Sequence, residues 1–251
     1  MKWQEFIRSY DERRDIAIPG DNKQAIEFCV EQFIAIAKHS IETNGIFTAA
    51  LSGGSTPKAI YQKLAEDSYR KQVDWKKVLL FWSDERCVPP DDTESNYHMA
   101  MTNGMETLPI PKENIFRMEG EKDPEKAAER YEQLIRQKVP STSFDLIMLG
   151  MGEDGHTASL FPKTHGLHAD NLLVTANFIP QKHIWRLTLT FECINNSKNI
   201  SIYVLGKAKA EMLKKVLSAP YDPDALPSQK VGTAQHKALW IADKDAAQDL
   251  C

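Results

Sequence analysis

No stretch of this 251-residue chain approaches the ~20 consecutive apolar residues of a membrane-spanning helix, so no membrane association is expected. The N-terminal MKWQEFIRSYDERRD lacks the apolar core of a secretory leader, and a cytoplasmic location is expected. Cysteine is scarce. Cys29, Cys87, Cys193 and Cys251 are scattered without a CxxC pair, which points to free thiols rather than a disulfide framework. A basic excess is missing too: 31 Lys and Arg against 35 Asp and Glu leave a net charge of −4. That gives no reason to expect nucleic acid, although a local basic pocket can still hold an anionic substrate. Repeats and low-complexity tracts are also absent. What remains is 42% hydrophobic and 26% charged, enough apolar side chain for a sizeable core, and one domain over 1–251 is expected.

Along the chain, helical and strand patterns alternate. Asp21 reads as the N-cap of a helix to about Thr43, with Asn44-Gly45 closing it. Strands are expected over 46–51, 77–82, 114–118, 144–149, 185–190, 200–205 and 238–242. Helices are expected from Pro57 to about Glu66, from Ser95 to about Glu106, after Asp123-Pro124, over 207–217 and over 245–250. Such alternation implies parallel βαβ units, hence an α/β fold: a mostly parallel sheet with helices on both faces in three layers.

Four segments carry candidate chemistry. Ser52, Gly53, Gly54, Ser55 and Thr56 lie between a strand and a helix start, where free backbone N–H groups and the helix dipole favour an anion. An ordinary capped turn explains that pattern about as well, and the spacing is not that of a Walker A loop. Asp84 and Arg86 close the next strand; an isolated Asp-Glu-Arg triplet is more often a solvated charge cluster. FDLIMLGMGEDGHTASLFP presents His156 after a glycine turn at the end of a buried strand, where open α/β sheets place ligands. His156 and Thr157 are expected to open a short helix that Pro162 interrupts. Gly150, Gly152 and Gly155 spell GxGxxG, but that short helix and the acids Glu153 and Asp154 argue against a dinucleotide. Arg186 and the Gly206-Lys207-Ala208-Lys209 stretch form the fourth, basic segment. For Lys207 a solvated face is the better reading. His165 and His168 lack further ligands at metal spacing, so no metal is expected.

Taken in order, LSGGSTPKAIY, FWSDERCVPPDDTESNY, FDLIMLGMGEDGHTASLFP, RLTLT and GKAKA resemble the 6-phosphogluconolactonases, which share a superfamily with the glucosamine-6-phosphate isomerase/deaminases. The resemblance runs from about Leu51 to the C-terminus. It implies a Rossmann-like sheet and cofactor-free hydrolysis of 6-phospho-D-glucono-1,5-lactone, a step of the oxidative pentose phosphate pathway; a monomer is expected. It also implies phosphate binding by residues 52–56 with Arg186 and Lys209, Lys209 being preferred to Lys207 because the family pattern is Gly-x-x-Lys. His156 would then be the acid/base, with Asp84 and Arg86 beside the sugar ring, Asp84 orienting either His156 or a sugar hydroxyl, and Arg86 or the Gly152 and Gly155 turn amides receiving the oxyanion. Deaminases continue to Asn-Glu-Pro where this chain has Leu160-Phe161-Pro162, and tend to carry Asp-Glu-Tyr in place of Asp84-Glu85-Arg86. The chain departs from the lactonase pattern at Gln181 to Trp185 and at Pro227-Ser228. A deaminase, a non-catalytic sugar-phosphate sensor and a nicotinamide-dependent oxidoreductase stand as alternatives.

Overall fold

Short apolar runs become fully buried strands and amphipathic runs become the helices that cover them in the computed structural model, which describes residues 3–250. In chain order the elements are β1 (Ile7–Ser9), β2 (Arg14–Ala17), α1 (Asn22–Asn44), β3 (Phe47–Leu51), α2 (Ser55–Leu64), α3 (Asp67–Arg70), β4 (Val78–Trp82), β5 (Asp84–Arg86), α4 (Asn96–Thr102) and α5 (Pro124–Lys138). There follow β6 (Leu146–Gly150), β7 (Val174–Ile179), β8 (Ile184–Leu189), α6 (Phe191–Asn195), β9 (Ile200–Val204), α7 (Ala210–Ser218) and β10 (Ala238–Ala242). Seven strands form one sheet in the order β1-β2-β10-β9-β6-β3-β4, parallel except for β1. A second, antiparallel sheet joins β5, β8 and β7.

Alternation along the central strands sorts the core into two layers. Phe47, Ala49 and Leu51 of β3, with Leu146 and Met148 of β6, pack under α1 and α2; Ala50, Ile147 and Leu149 face α5, α6 and α7 instead. The result is the expected Rossmann-like three-layer arrangement. From β3 the chain runs to β4 on one side and later crosses back to β6 on the other, so the strand order reverses between β3 and β6. Open α/β sheets form their ligand crevice beyond the carboxyl ends of the strands at such a point.

Several local expectations need correction. The triplet Asp84–Arg86 is a strand, and its two acids are buried rather than solvated. Residues 114–118 contribute a single bridge between Ile115 and Leu80 instead of a strand. No helix follows His156: the Thr157 hydroxyl donates to the Gly150 carbonyl, Ala158 adopts φ 48°, and the chain turns back at Leu160. Pro57 is the third residue of α2, which begins at Ser55. Residues 244–249 form turns, not a helix, and β1, β2 and β7 were not foreseen. Cys29, Cys87 and Cys193 are free thiols; Cys251 lies outside the described residues. No described helix is long and apolar enough to cross a membrane.

Candidate active site

Loops leaving the carboxyl ends of β3, β4, β6 and β9 enclose a cleft of about 290 Å³ at the strand-order reversal. Residues 52–56, Asp84, Arg86, Gly152, His156 and Lys209 all line it, although up to 157 residues of chain separate them. The topology alone brings them together.

Gly54, at φ 104°, caps α2 with no side-chain hydrogen bond, so the N–H groups of Ser55 and Thr56 open on the cleft at a helix N-terminus. Gly53 is required for a different reason: a Cβ there would sit 1.9 Å from Oδ1 of the buried Asn96. Lys209 ends a short 3₁₀ turn, Lys207–Lys209, whose N-cap Gly206 donates its amide to both carboxylate oxygens of the buried Asp243 at 3.0 Å. Lys207, in the same turn, does not line the cleft.

Asp84 is 6% exposed and accepts from Ser159 Oγ at 2.7 Å and from Asn96 Nδ2 at 3.3 Å. It has no hydrogen bond to His156. The neighbouring Glu85 carboxylate takes the backbone N–H groups of Arg86, Asn96 and Tyr97 and the Ser95 hydroxyl at 2.7 to 3.0 Å, which locks β5 to the N-terminus of α4. Burial pushes the Glu85 carboxyl above its ordinary range, although these amides pull it down. Arg86 donates to the Glu94 carbonyl at 2.7 Å. Its guanidinium keeps further donors for a ligand, and its buried Nε has no hydrogen-bond partner.

His156 is held on two sides. Nδ1 lies 2.5 Å from Asp154 Oδ1, and the ring stacks on Phe161 with centroids 4.0 Å apart and an interplanar angle of 21°. Lys182, at the tip of the β7–β8 hairpin, sits 4.8 Å from the centroid of the same Phe161 ring. Burial opposes the charge on Asp154, but the hydrogen bond and charge of His156 outweigh it and hold the carboxyl at about 2. A Cβ at Gly152 would lie 2.0 Å from His156 Nδ1, so glycine makes room for the imidazole. The Gly152 amide donates to the His156 carbonyl at 2.8 Å and the Gly155 amide to the Gly152 carbonyl at 3.2 Å. Both are spent inside the turn, so neither is free for an oxyanion.

Arg186 does not line the cleft. It stands half-buried on β8 directly opposite Arg86 of β5, so two guanidiniums are neighbours across one strand pair. Burial and Arg86 both push its pKa below the usual arginine value. His168 pairs with Asp224 at 3.1 Å, and His165 lines a separate groove beside α5. Three residues of the site were missed from sequence. Asp154 reads in the sequence as charge unwelcome beside a pyrophosphate, although Asp-x-His is itself a signal. Asn96 and Ser159 gave none, because their roles depend on partners 12 and 75 positions away.

A family model described as glucosamine-6-phosphate isomerases/6-phosphogluconolactonase matches residues 20–240. The chain belongs to this family. It is 41% identical over 222 residues to a 6-phosphogluconolactonase of Chlamydia pneumoniae, covering 88% of this chain and 84% of that one. It is 35% identical to the 6-phosphogluconolactonase of Haemophilus influenzae, covering 91% of this chain and 96% of that one. The crystal structure of 6-phosphogluconolactonase from Thermotoga maritima superposes with a TM-score of 0.79 at 31% identity, over 91% of this chain and 99% of that one.

Proposed function

We propose that this chain, as one domain and a monomer, hydrolyses 6-phospho-D-glucono-1,5-lactone to 6-phospho-D-gluconate without a cofactor. The observation that carries the reading is His156, held by Asp154 and Phe161 in a cleft whose other wall is a helix N-terminus and Lys209. The substrate phosphate sits against the 55 and 56 amides, the Ser and Thr hydroxyls and Lys209, and its binding energy fixes the lactone against the histidine. Arg186, on the same face of the β5–β8 pair as Arg86, joins Lys209 in supplying positive charge for the phosphate.

With Nδ1–H donated to Asp154, neutral His156 presents Nε2 as the basic nitrogen. Nε2 takes a proton from water while the water oxygen bonds to C1, and the carbonyl electrons move onto its oxygen. Arg86 receives that charge. When the carbonyl re-forms, the C1–ring oxygen bond breaks, the imidazolium returns its proton to the leaving oxygen, and the new carboxylic acid ionises to the carboxylate, releasing one proton to solvent. Asp84, already tied to Ser159 and Asn96, accepts a sugar hydroxyl. The reading is tested by supplying the purified protein with fresh 6-phosphogluconolactone and, separately, with glucosamine 6-phosphate. Proton release above the spontaneous rate with the first and no ammonia from the second is expected; the opposite pattern identifies a deaminase.

A further inference from the structure

Tyr61 lies in the middle of α2 with no exposed surface, yet its hydroxyl reaches back to Ser52, the first residue after β3. It accepts from the Ser52 N–H at 3.1 Å and donates to the Ser52 carbonyl at 2.8 Å. A hydroxyl is one of the few side-chain groups able to satisfy both backbone groups of a single residue at once. The chain therefore leaves the sheet with its last buried N–H and C=O already satisfied by the helix that the loop leads into. Loop and helix close on each other through Tyr61 and Ser52.

We infer that Tyr61 is a positioning residue for the anion-binding loop, pre-organising it through Ser52; this rests on reading residues 52–56 as the phosphate site. Tyr131 provides a matched comparison. Its hydroxyl, also buried, accepts from the Trp82 N–H at 2.8 Å and donates to the Phe116 carbonyl at 3.1 Å, so it ties the end of the neighbouring strand β4 and makes no bond to residues 52–56.

The test compares Tyr61→Phe, Tyr131→Phe and Lys209→Ala by melting temperature, kcat, KM for 6-phosphogluconolactone and Ki for 6-phosphogluconate. Tyr61→Phe should raise KM and Ki together by about 3- to 10-fold, the loss of one or two net hydrogen bonds, with kcat within about twofold. Tyr131→Phe should lower the melting temperature and leave Ki unchanged. Unchanged KM and Ki in Tyr61→Phe, or an equal rise in Ki from both tyrosine variants, overturns the inference. If Lys209→Ala also leaves Ki unchanged, the phosphate-site reading itself falls. If Tyr61→Phe does not fold, amide exchange of the wild-type protein decides. A slow Ser52 amide beside fast Ser55 and Thr56 amides that slow on adding 6-phosphogluconate supports pre-organisation; a Ser52 amide as fast as those two overturns it.

Discussion

At the scale of single residues, the site is held by close approaches that particular atoms permit. Gly152→Ala places a Cβ where His156 Nδ1 now lies, so the imidazole must move while the fold stands. A displacement of about 1 Å near the reacting atoms costs about 10²-fold, and steady-state kcat should show that loss with the melting temperature kept. Phe161→Leu removes the stacked face of His156 and should lower kcat by about 2- to 10-fold, whereas Phe161→Tyr keeps the stack and most of the rate. Asp154 predicts a sign in acid. Its carboxyl is held at about 2, below the ordinary 3.8, so its stabilisation is complete above about pH 3.8 and is lost as pH falls towards about 2. Half-exposed, it contributes little in absolute terms. Acid unfolding followed by tryptophan fluorescence should be shallower in that window for Asp154→Asn than for the wild type.

At the scale of elements, the same reasoning applies to the contact between β5 and α4. Glu85→Ala leaves three backbone N–H groups and the Ser95 hydroxyl without their acceptor, and should cost about 2–4 kcal/mol in denaturant unfolding. Elements built from local pattern were legible in the sequence. Asp21 and Gly45 cap α1 as their residue types indicate, and the apolar runs of β3, β4, β6, β9 and β10 are strands buried on both faces. Elements built from distant partners were not. Asp84–Arg86 looks like a charge cluster because Thr188, Leu187 and Arg186, which pair with it, arrive a hundred residues later. The helix expected after His156 fails because Thr157 and Ala158 follow the tight turn at the end of β6 rather than their helical propensity.

At the scale of the molecule, the reversal of strand order between β3 and β6 explains why four sequence segments share one cleft. Residues 52–56, Asp84, Arg86, His156 and Lys209 were identifiable from motif and order, and all line it. Arg186, paired with Arg86 across β5 and β8, is not among the residues that line it. A ligand that fills this cleft only in the folded state must stabilise the whole chain: 6-phosphogluconate at 100 times its Kd should add about 2.7 kcal/mol, read as a rise in melting temperature. Lactone opening rests on His156. Its most direct test is turnover of 6-phosphogluconolactone by His156→Ala, followed as proton release above the spontaneous rate, with circular dichroism showing an intact fold. A fall in kcat of about 10²- to 10⁴-fold is predicted. A correctly folded His156→Ala that turns over near the wild-type rate would assign lactone opening to another group.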